Sequence, residues 1–377
     1  MQKHHHLNIL GTRGIPASHG GFETFAGVLA QYLVGQGHSV TVYCQSEKGQ
    51  DLQGREDHWN GIQRVHFGSR YGGPLGTMDY DLKATRHVLN QPGADLVLGY
   101  NTALFTALQR MRGRMVYMNM DGIEWKRRKW SAPARAWLKA NEWLGARLCN
   151  QPIADHPEIL EHIRKRTGRR CVMIPYGANK VDHGHPAHLR DLGPGLRPDE
   201  YFLSVARIEP ENSIYEIVEA HKRSGSQRKL VVLGKMYSDN AYHRRLWQMA
   251  SEHVLFPGPI YDQARLSSLR LFSRAYVHGH QVGGTNPSLV EALGAGNAVL
   301  AHDNRFNRWT CGKDQHFFGD VRACANALEM LDRDDLAVQR ARVAARARFD
   351  ARFRWDAILE HYRSLMLDTP AVRIAAE

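Results

Sequence analysis

The sequence predicts an α/β chain of two doubly wound halves, and three observations carry that reading. Residues 7–10, a glycine loop, a helical period through Phe22, Phe25, Ala26, Leu29 and Leu33, and residues 40–44 form a strand, loop, helix, strand unit, and such units build parallel sheets. A similar series restarts at residue 201 after a stretch rich in Pro, Gly and His, which reads as a linker. At 377 residues the chain exceeds one ordinary core and suits two of about 170 to 190 residues. The expected divisions are 1–175, 176–352 and a final segment 353–377 that crosses back to the first half.

In the first half, strands are expected at residues 7–10, 40–44, 65–67, 96–98, 115–118, 152–154 and 171–174. Helices fit from Phe22 to the stop at Gly35 and Gly37, then around 81–89, 103–111, 132–148 and 157–165. In the second half, strands at 201–206, 230–233, 254–256 and 275–278 alternate with helices at 214–222, 240–250 and 264–272; the last helices are 322–331 and 336–349. Gly11 and Gly14 lie where a dinucleotide fold keeps its glycines, but the spacing is not GxGxxG. The second strand ends in Gln45 and Ser46, where an acid would hold the cofactor's ribose, so a nicotinamide site is disfavoured.

An apolar fraction of 43% and a charged fraction of 23% are those of a globular protein. The net charge of +12 invites phosphorylated ligands, an anionic membrane surface or nucleic acid. No RNA-binding signature or zinc-knuckle spacing accompanies it, so nucleic acid is not expected as a partner. The five cysteines, Cys44, Cys149, Cys171, Cys311 and Cys324, are odd in number and contain no CxxC pair, which argues against a disulfide framework or zinc site and for a reducing cytoplasm. No run approaches the roughly 20 apolar residues that span a bilayer, and the start of the chain has no signal-type apolar core. His4, His5 and His6 read as solvated or tag-derived rather than metal-binding.

Residues 278–300, HGHQVGGTNPSLVEALGAGNAVL, carry the main candidate site. A turn at Gly283 and Gly284 feeds a short helix that Asn286 is placed to cap, with Pro287 in its first turn. The amides of residues 283–288, Thr285 and Ser288 among them, then point outward at the positive end of the helix dipole, an anion seat. Glu291, one turn further in, is placed to accept hydrogen bonds from ligand hydroxyls such as those of a ribose. The alternative is a capping box between Ser288 and Glu291, the glycines only turning the chain.

Other candidates sit at expected strand ends, where open α/β sheets keep their sites. Arg207 in RIEPEN is placed to reach a diphosphate, unless it pairs with Glu209 or Glu211. Lys235 follows the next strand. Gly20 and Gly21 allow close backbone approach at the first helix's N-terminus, with Glu23 in its first turn. NMDGIEWKRRKW brings Asp121, Glu124, Trp125 and the bases Lys126, Arg127, Arg128 and Lys129 to a strand end, or forms a solvated helix start. The helix at 132–148 aligns Ala134, Trp137, Leu138, Asn141, Leu144 and Leu148, with Arg135, Lys139 and Arg147 elsewhere. That stripe suits core or an anionic membrane surface.

Five segments in register, LGTRGIPASHGGFETFAGVLAQYLVGQGHSVTVY, NMDGIEWKRRKW, IPYGAN, RIEPEN and YVHGHQVGGTNPSLVEALGAGNAVLA, resemble the retaining family 4 glycosyltransferases of GT-B fold. They are most similar to the bacterial rhamnosyltransferases of capsule and O-antigen assembly. The resemblance implies two Rossmann-like domains facing a central cleft and transfer of a sugar, rhamnose favoured, from a nucleotide diphosphate donor. The acceptor implied is a lipid-linked saccharide at the inner face of the membrane, and the anomeric configuration is kept. By the same resemblance Glu291 takes the ribose and residues 283–288 the phosphates. Gly20 and Gly21 close over the diphosphate, Arg207 with Lys235 neutralises the leaving phosphate, and Asp121 orients the sugar or acceptor. Glu124, Trp125, Lys126 and Arg127 form the acceptor's approach.

The chain departs from the family pattern at three places. Gly283 stands where the first of two glutamates is usual, Asn212 lies in the neighbourhood of a usual lysine, and Asp121 replaces a histidine. No DxD arrangement is evident in these motifs, so no metal or other cofactor is expected. A sugar-nucleotide epimerase or phosphorylase, and a non-catalytic basic membrane-surface protein, are the rival readings.

Overall fold

The computed structural model describes residues 4–17, 20–46, 53–127, 130–190 and 196–368. It divides into one unit of Met1–Pro175 with Asp356–Glu377 and a second of Tyr176–Trp355.

The first unit is an eight-stranded sheet in the order β3-β4-β2-β1-β5-β6-β7-β8. Its strands are β1 (His6–Leu10), β2 (Ser39–Gln45), β3 (Arg55–Trp59), β4 (Ile62–Phe67), β5 (Ala94–Leu98), β6 (Val116–Asn119), β7 (Gln151–Ala154) and β8 (Val172–Met173). Every pairing except β3 with β4 is parallel. The connecting helices are α1 (Gly21–Gly35), α2 (Gly73–Val88), α3 (Thr106–Met111), α4 (Ala132–Leu148) and α5 (Pro157–Thr167). β1 and β2 are apolar runs buried through their middles, as strands covered on both faces must be. The edge strand β3, REDHW, is charged and joins β4 through Asn60 and Gly61, both with positive φ, 49° and 79°. That is the backbone a two-residue hairpin turn requires.

The second unit is a six-stranded parallel sheet in the order β11-β10-β9-β12-β13-β14. It contains β9 (Tyr201–Val205), β10 (Lys229–Leu233), β11 (Val254–Leu255), β12 (Ala275–His278), β13 (Val299–His302) and β14 (His316–Phe318). Its helices are α6 (Ala187–Arg190), α7 (Ile214–Ser224), α8 (Ala241–Trp247), α9 (Gln263–Leu271), α10 (Pro287–Gly294), α11 (Arg305–Cys311), α12 (Val321–Arg333) and α13 (Asp335–Arg352). Strand alternation sorts the core into two layers. Tyr201, Leu203, Val231, Leu233 and Tyr276 pack on one face of the sheet, and Phe202, Leu230, Val232, Ala275 and Val277 on the other.

In both sheets the strand order reverses once beside the first strand of the unit. The chain runs outward from β1 through β2 and returns with β5 on the other flank; likewise it leaves β9 through β10 and returns with β12. Loops at the carboxyl ends of two neighbouring strands diverge at such a point, which opens a crevice for a ligand. The last helix, α14 (Trp355–Arg363), ties the end of the chain to the first unit. Tyr362 is buried against Phe25, ring centroids 4.8 Å apart, and its hydroxyl accepts from Asn119 Nδ2 at 3.2 Å. Tyr32 donates to Glu360 at 2.7 Å.

Candidate functional site

At the reversal point of the second unit, three adjacent strand ends bring the expected donor residues to one edge of the sheet. Arg207 follows β9, Lys235 follows β10, and residues 279–286 lead from β12 into α10. The β12 segment is bolted to its neighbours. Ser213 Oγ donates to the Gly279 carbonyl at 2.8 Å, the Gln281 amide to the Glu211 carbonyl at 3.1 Å, and the side chains of Asn304 and Asn307 to the His280 carbonyl at 3.0 and 2.9 Å. Any side chain at Gly279 would bring its Cβ to 2.1 Å from the Asn212 carbonyl, so this approach needs glycine.

Asn286 caps α10, and Pro287 opens it. The cap narrows the expected anion seat. Asn286 Oδ1 takes both the Ser288 amide, at 3.1 Å, and the Ser288 hydroxyl, at 2.9 Å. Pro287 has no N–H to offer. Ser288 is therefore corrected from an open phosphate contact to a partner of the cap. Among the described residues, the amides of Gly283, Gly284 and Asn286 have no protein acceptor. Gly283 has φ 145° and open space where a Cβ would stand, so its loop is free to meet a ligand.

Glu291 does not form the capping box. One carboxylate oxygen is paired with the buried Arg270 guanidinium of α9, and a carboxylate so held keeps lone pairs for further hydrogen bonds. Arg207 is 60% exposed and only loosely paired with Glu209 at 3.8 Å, a contact of little energetic weight. Asn212, by contrast, is buried, and its side chain donates to the Arg207 carbonyl at 2.7 Å. It shapes the Arg207 loop. Lys235 is exposed, its ammonium 5.1 Å from the Tyr237 ring centroid.

The expected residues of the first unit are arranged differently. Glu23 Oε1 accepts from the Arg13 amide at 3.1 Å, and its other oxygen lies where a Gly20 Cβ would stand. The N-terminus of α1, at Gly20 and Gly21, thus carries its own carboxylate. Asp121 follows β6 with φ 49°, a left-handed backbone held by the bond of its amide to Asn119 Oδ1 at 3.0 Å. Asn119 also donates to Tyr362, so α14 braces the Asp121 turn. Burial and the nearby charge of Glu124 push the Asp121 carboxyl up to about 7.

The acceptor-side stretch is largely committed within the unit. Glu124 pairs with Arg127 at 2.8 Å. Trp125 donates to the buried Glu142 at 2.9 Å, with Lys139 and Arg166 over its ring at 5.3 and 5.5 Å. Lys126 is exposed, 5.5 Å from the same ring. Arg128 and Lys129 lie outside the described residues. Glu124, Trp125 and Arg127 are held by one another and by α4 and α5, while Lys126 is exposed.

Residues 195–346 match the family model described as "Glycosyl transferases group 1". The second unit carries a glycosyl transferases group 1 domain. Residues 4–179 match the model described as "Domain of unknown function (DUF1972)". No curated protein matches the sequence. Among solved structures, sucrose-phosphate synthase from Thermosynechococcus elongatus is similar at 17% identity and a TM-score of 0.78, over 97% of this chain and 100% of that one. Anabaena HepE in complex with UDP and glucose is similar at 15% identity and 0.76, over 96% and 99%. The α,α-trehalose 6-phosphate synthase of Burkholderia multivorans is similar at 12% and 0.71, over 98% of each chain. These likenesses show the fold, two Rossmann-like parallel-sheet domains of GT-B type.

Sequence reasoning read HGHQVGG for its glycines and passed over its histidines. In the group 1 domain His278 stacks on His280, centroids 4.3 Å apart and planes within 7°. Burial holds His278 well below the usual imidazole range, so the ring stacked on His280 is neutral.

The Asp121 carboxyl gives a pH test. Its folded value lies above the ordinary 3.8, so between about pH 4 and 7 the folded protein binds a proton that the unfolded chain has lost, and that stabilisation disappears as pH rises through about 7. Denaturation of the parent protein and of Asp121→Asn across about pH 5 to 8 should show the parent losing stability relative to the variant as pH rises; parallel curves would contradict the assignment.

Proposed function

We propose that the chain is a retaining glycosyltransferase that moves a sugar from a nucleoside diphosphate to a saccharide hydroxyl. The observation that carries this reading is the group 1 domain's reversal point, where Arg207, Lys235, the unpartnered amides of Gly283 and Gly284, and Glu291 share one sheet edge. Cations and amides at a helix N-terminus suit a diphosphate, and a carboxylate one turn further in suits the hydroxyls of a ribose. The HepE structure, solved with UDP and glucose, supports a nucleotide sugar as the donor class. The motif resemblance favours rhamnose as the sugar and the rhamnosyltransferase branch of family 4 as the relatives.

In the proposed reaction the bond from the anomeric carbon to the diphosphate breaks while the acceptor oxygen bonds the same carbon on the same face. The acceptor's proton passes to the departing phosphate oxygen. Charge that develops on that phosphate is met by Arg207, Lys235 and the amides, groups already in place before the reaction. Gly20, Gly21 and Asp121 of the first unit enter this scheme on the motif resemblance alone, and Glu23 occupies the space beside Gly20. No divalent metal takes part in this scheme.

The acceptor is a lipid-linked saccharide used in surface polysaccharide synthesis. No helix among the described residues is long and apolar enough to cross a membrane. The outer side of α4 supports approach to an anionic lipid surface from the cytoplasm. Trp137 and Trp143 are 37% and 41% exposed there, beside Arg135, Lys139 and Arg147, while the helix's one acid, Glu142, is buried. Tryptophan and basic side chains together suit such a surface.

Nucleotide binding, turnover and vesicle sedimentation test these readings. UDP or dTDP should raise the melting temperature of the parent protein. Glu291→Gln, which leaves Arg270 a hydrogen-bond partner, should weaken nucleotide binding about tenfold, the scale of one hydrogen bond to a charged group. Arg207→Ala should cut turnover by a similar factor, and EDTA should leave the parent's turnover unchanged. Unaltered kinetics in both variants, or strict dependence on manganese, would sink the scheme. Separately, vesicles containing phosphatidylglycerol should sediment the parent protein, and Trp137→Ser with Trp143→Ser should abolish this. Equal binding to neutral vesicles would contradict the lipid surface.

A further inference from the structure

The first unit has a reversal point of its own, between β1 and β5, and a cavity of about 220 Å³ opens there. Its lining includes Phe22, Gln45, Asp81, Asn101, Thr102 and Phe105. A single water needs only about 10–15 Å³ of such space, so the cavity has room for a ligand. None of its residues belongs to the stretch 124–127 expected to meet the acceptor.

Asp81, on α2, is the feature that gives the cavity a chemistry. Its carboxyl accepts one hydrogen bond, from Thr102 Oγ1 at 2.7 Å, and no cation pairs with it among the described residues. The same unit shows how the fold treats a buried carboxylate that has only a structural task. Asp95 receives Arg114 through both oxygens, together with Gln109 and Asn8. Asp81 is half-buried and has a single neutral donor, so its carboxylate keeps lone pairs for a ligand. Burial pushes its carboxyl up to about 7.

The charges around it select the class of ligand. Arg13 is the one basic group of the lining, set against the two acids Glu23 and Asp81, so phosphate or nucleotide is disfavoured there. A neutral molecule rich in hydroxyls supplies further donors to Asp81, and Asn101 and Gln45 add amides to a lining that also holds Phe22 and Phe105.

We propose that this cavity holds the terminal sugar ring of the acceptor and that Asp81 reads its hydroxyls. The proposal rests on the glycosyl-transfer reading and assigns the acceptor to a place that the motifs did not indicate. Asp81 here determines which sugar is accepted; the reacting proton goes elsewhere.

The test is saturation-transfer NMR on the full chain without nucleotide. The probes are glucose, galactose, mannose, rhamnose and N-acetylglucosamine. At least one should bind, and Asp81→Asn should weaken it about tenfold, the scale of one hydrogen bond to a charged acceptor. Affinity for the parent should rise from about pH 6 to about pH 8 as the carboxylate forms, and the variant should show no such rise. The other ionisable groups near Asp81 are Glu23 and Arg13 in the lining, Tyr80, whose hydroxyl burial keeps protonated, and Asp79 paired with Lys83 at 2.9 Å on the same helix. Thr102→Val, which removes the one donor, should move the pH midpoint upward and keeps the test open if Asp81→Asn does not fold. Absence of binding by every probe, or affinity and pH profile unchanged in the variants, overturns the proposal. Nucleotide binding measured on the same samples separates the two ideas: nucleotide without sugar removes the cavity's role alone, and sugar without nucleotide removes the transfer reading while leaving the cavity.

Discussion

Burial of both faces of each parallel sheet is the constraint on which the rest depends. In the second unit alternate residues of β9, β10 and β12 enter two separate apolar layers, so the faces have no room for a ligand. Polar chemistry is left to the strand ends. A carboxyl end offers loops and helix N-termini, and the point where strand order reverses adds a crevice. Both units meet this condition beside their first strand, and the candidate residues collect there.

The two edges present opposite chemistry. The second unit offers Arg207, Lys235 and open amides with one tethered acid, Glu291, which favours an anion. The first lines its cavity with Asp81, Glu23 and a single base, Arg13, which favours neutral hydroxyls. Asn212 shows how local packing sets such assignments. Its side chain donates to the Arg207 carbonyl and closes the loop that carries Arg207. Likewise Arg270 fixes Glu291 from beneath, which orients the carboxylate before any ligand arrives.

Much of this was legible in the sequence because its signals are local. Apolar runs such as YFLSV and KLVVL mark buried strands, and Asn286 with Pro287 marks the start of α10. Contacts made across the fold were not legible. The Arg270 and Glu291 pair spans 21 positions, and the cavity beside Asp81 gathers residues from five separated segments. Ser288 was misjudged because its amide has two possible partners, a ligand or the cap, and periodicity does not distinguish them. β3 escaped notice because REDHW lacks the apolar alternation of a half-buried strand; the Asn60-Gly61 turn was its one cue. The helix α11 and strand β14, seven and three residues long, are too short to show a period.

The central claim is that main-chain nitrogens at the start of α10 grip a diphosphate. Amide resonances of Gly283 and Gly284, followed while a nucleoside diphosphate is added to isotope-labelled protein, report on it most directly. The account predicts that both move strongly and saturate together with the change in the ligand's phosphorus signals. Nucleotide binding that leaves these two resonances in place would contradict it.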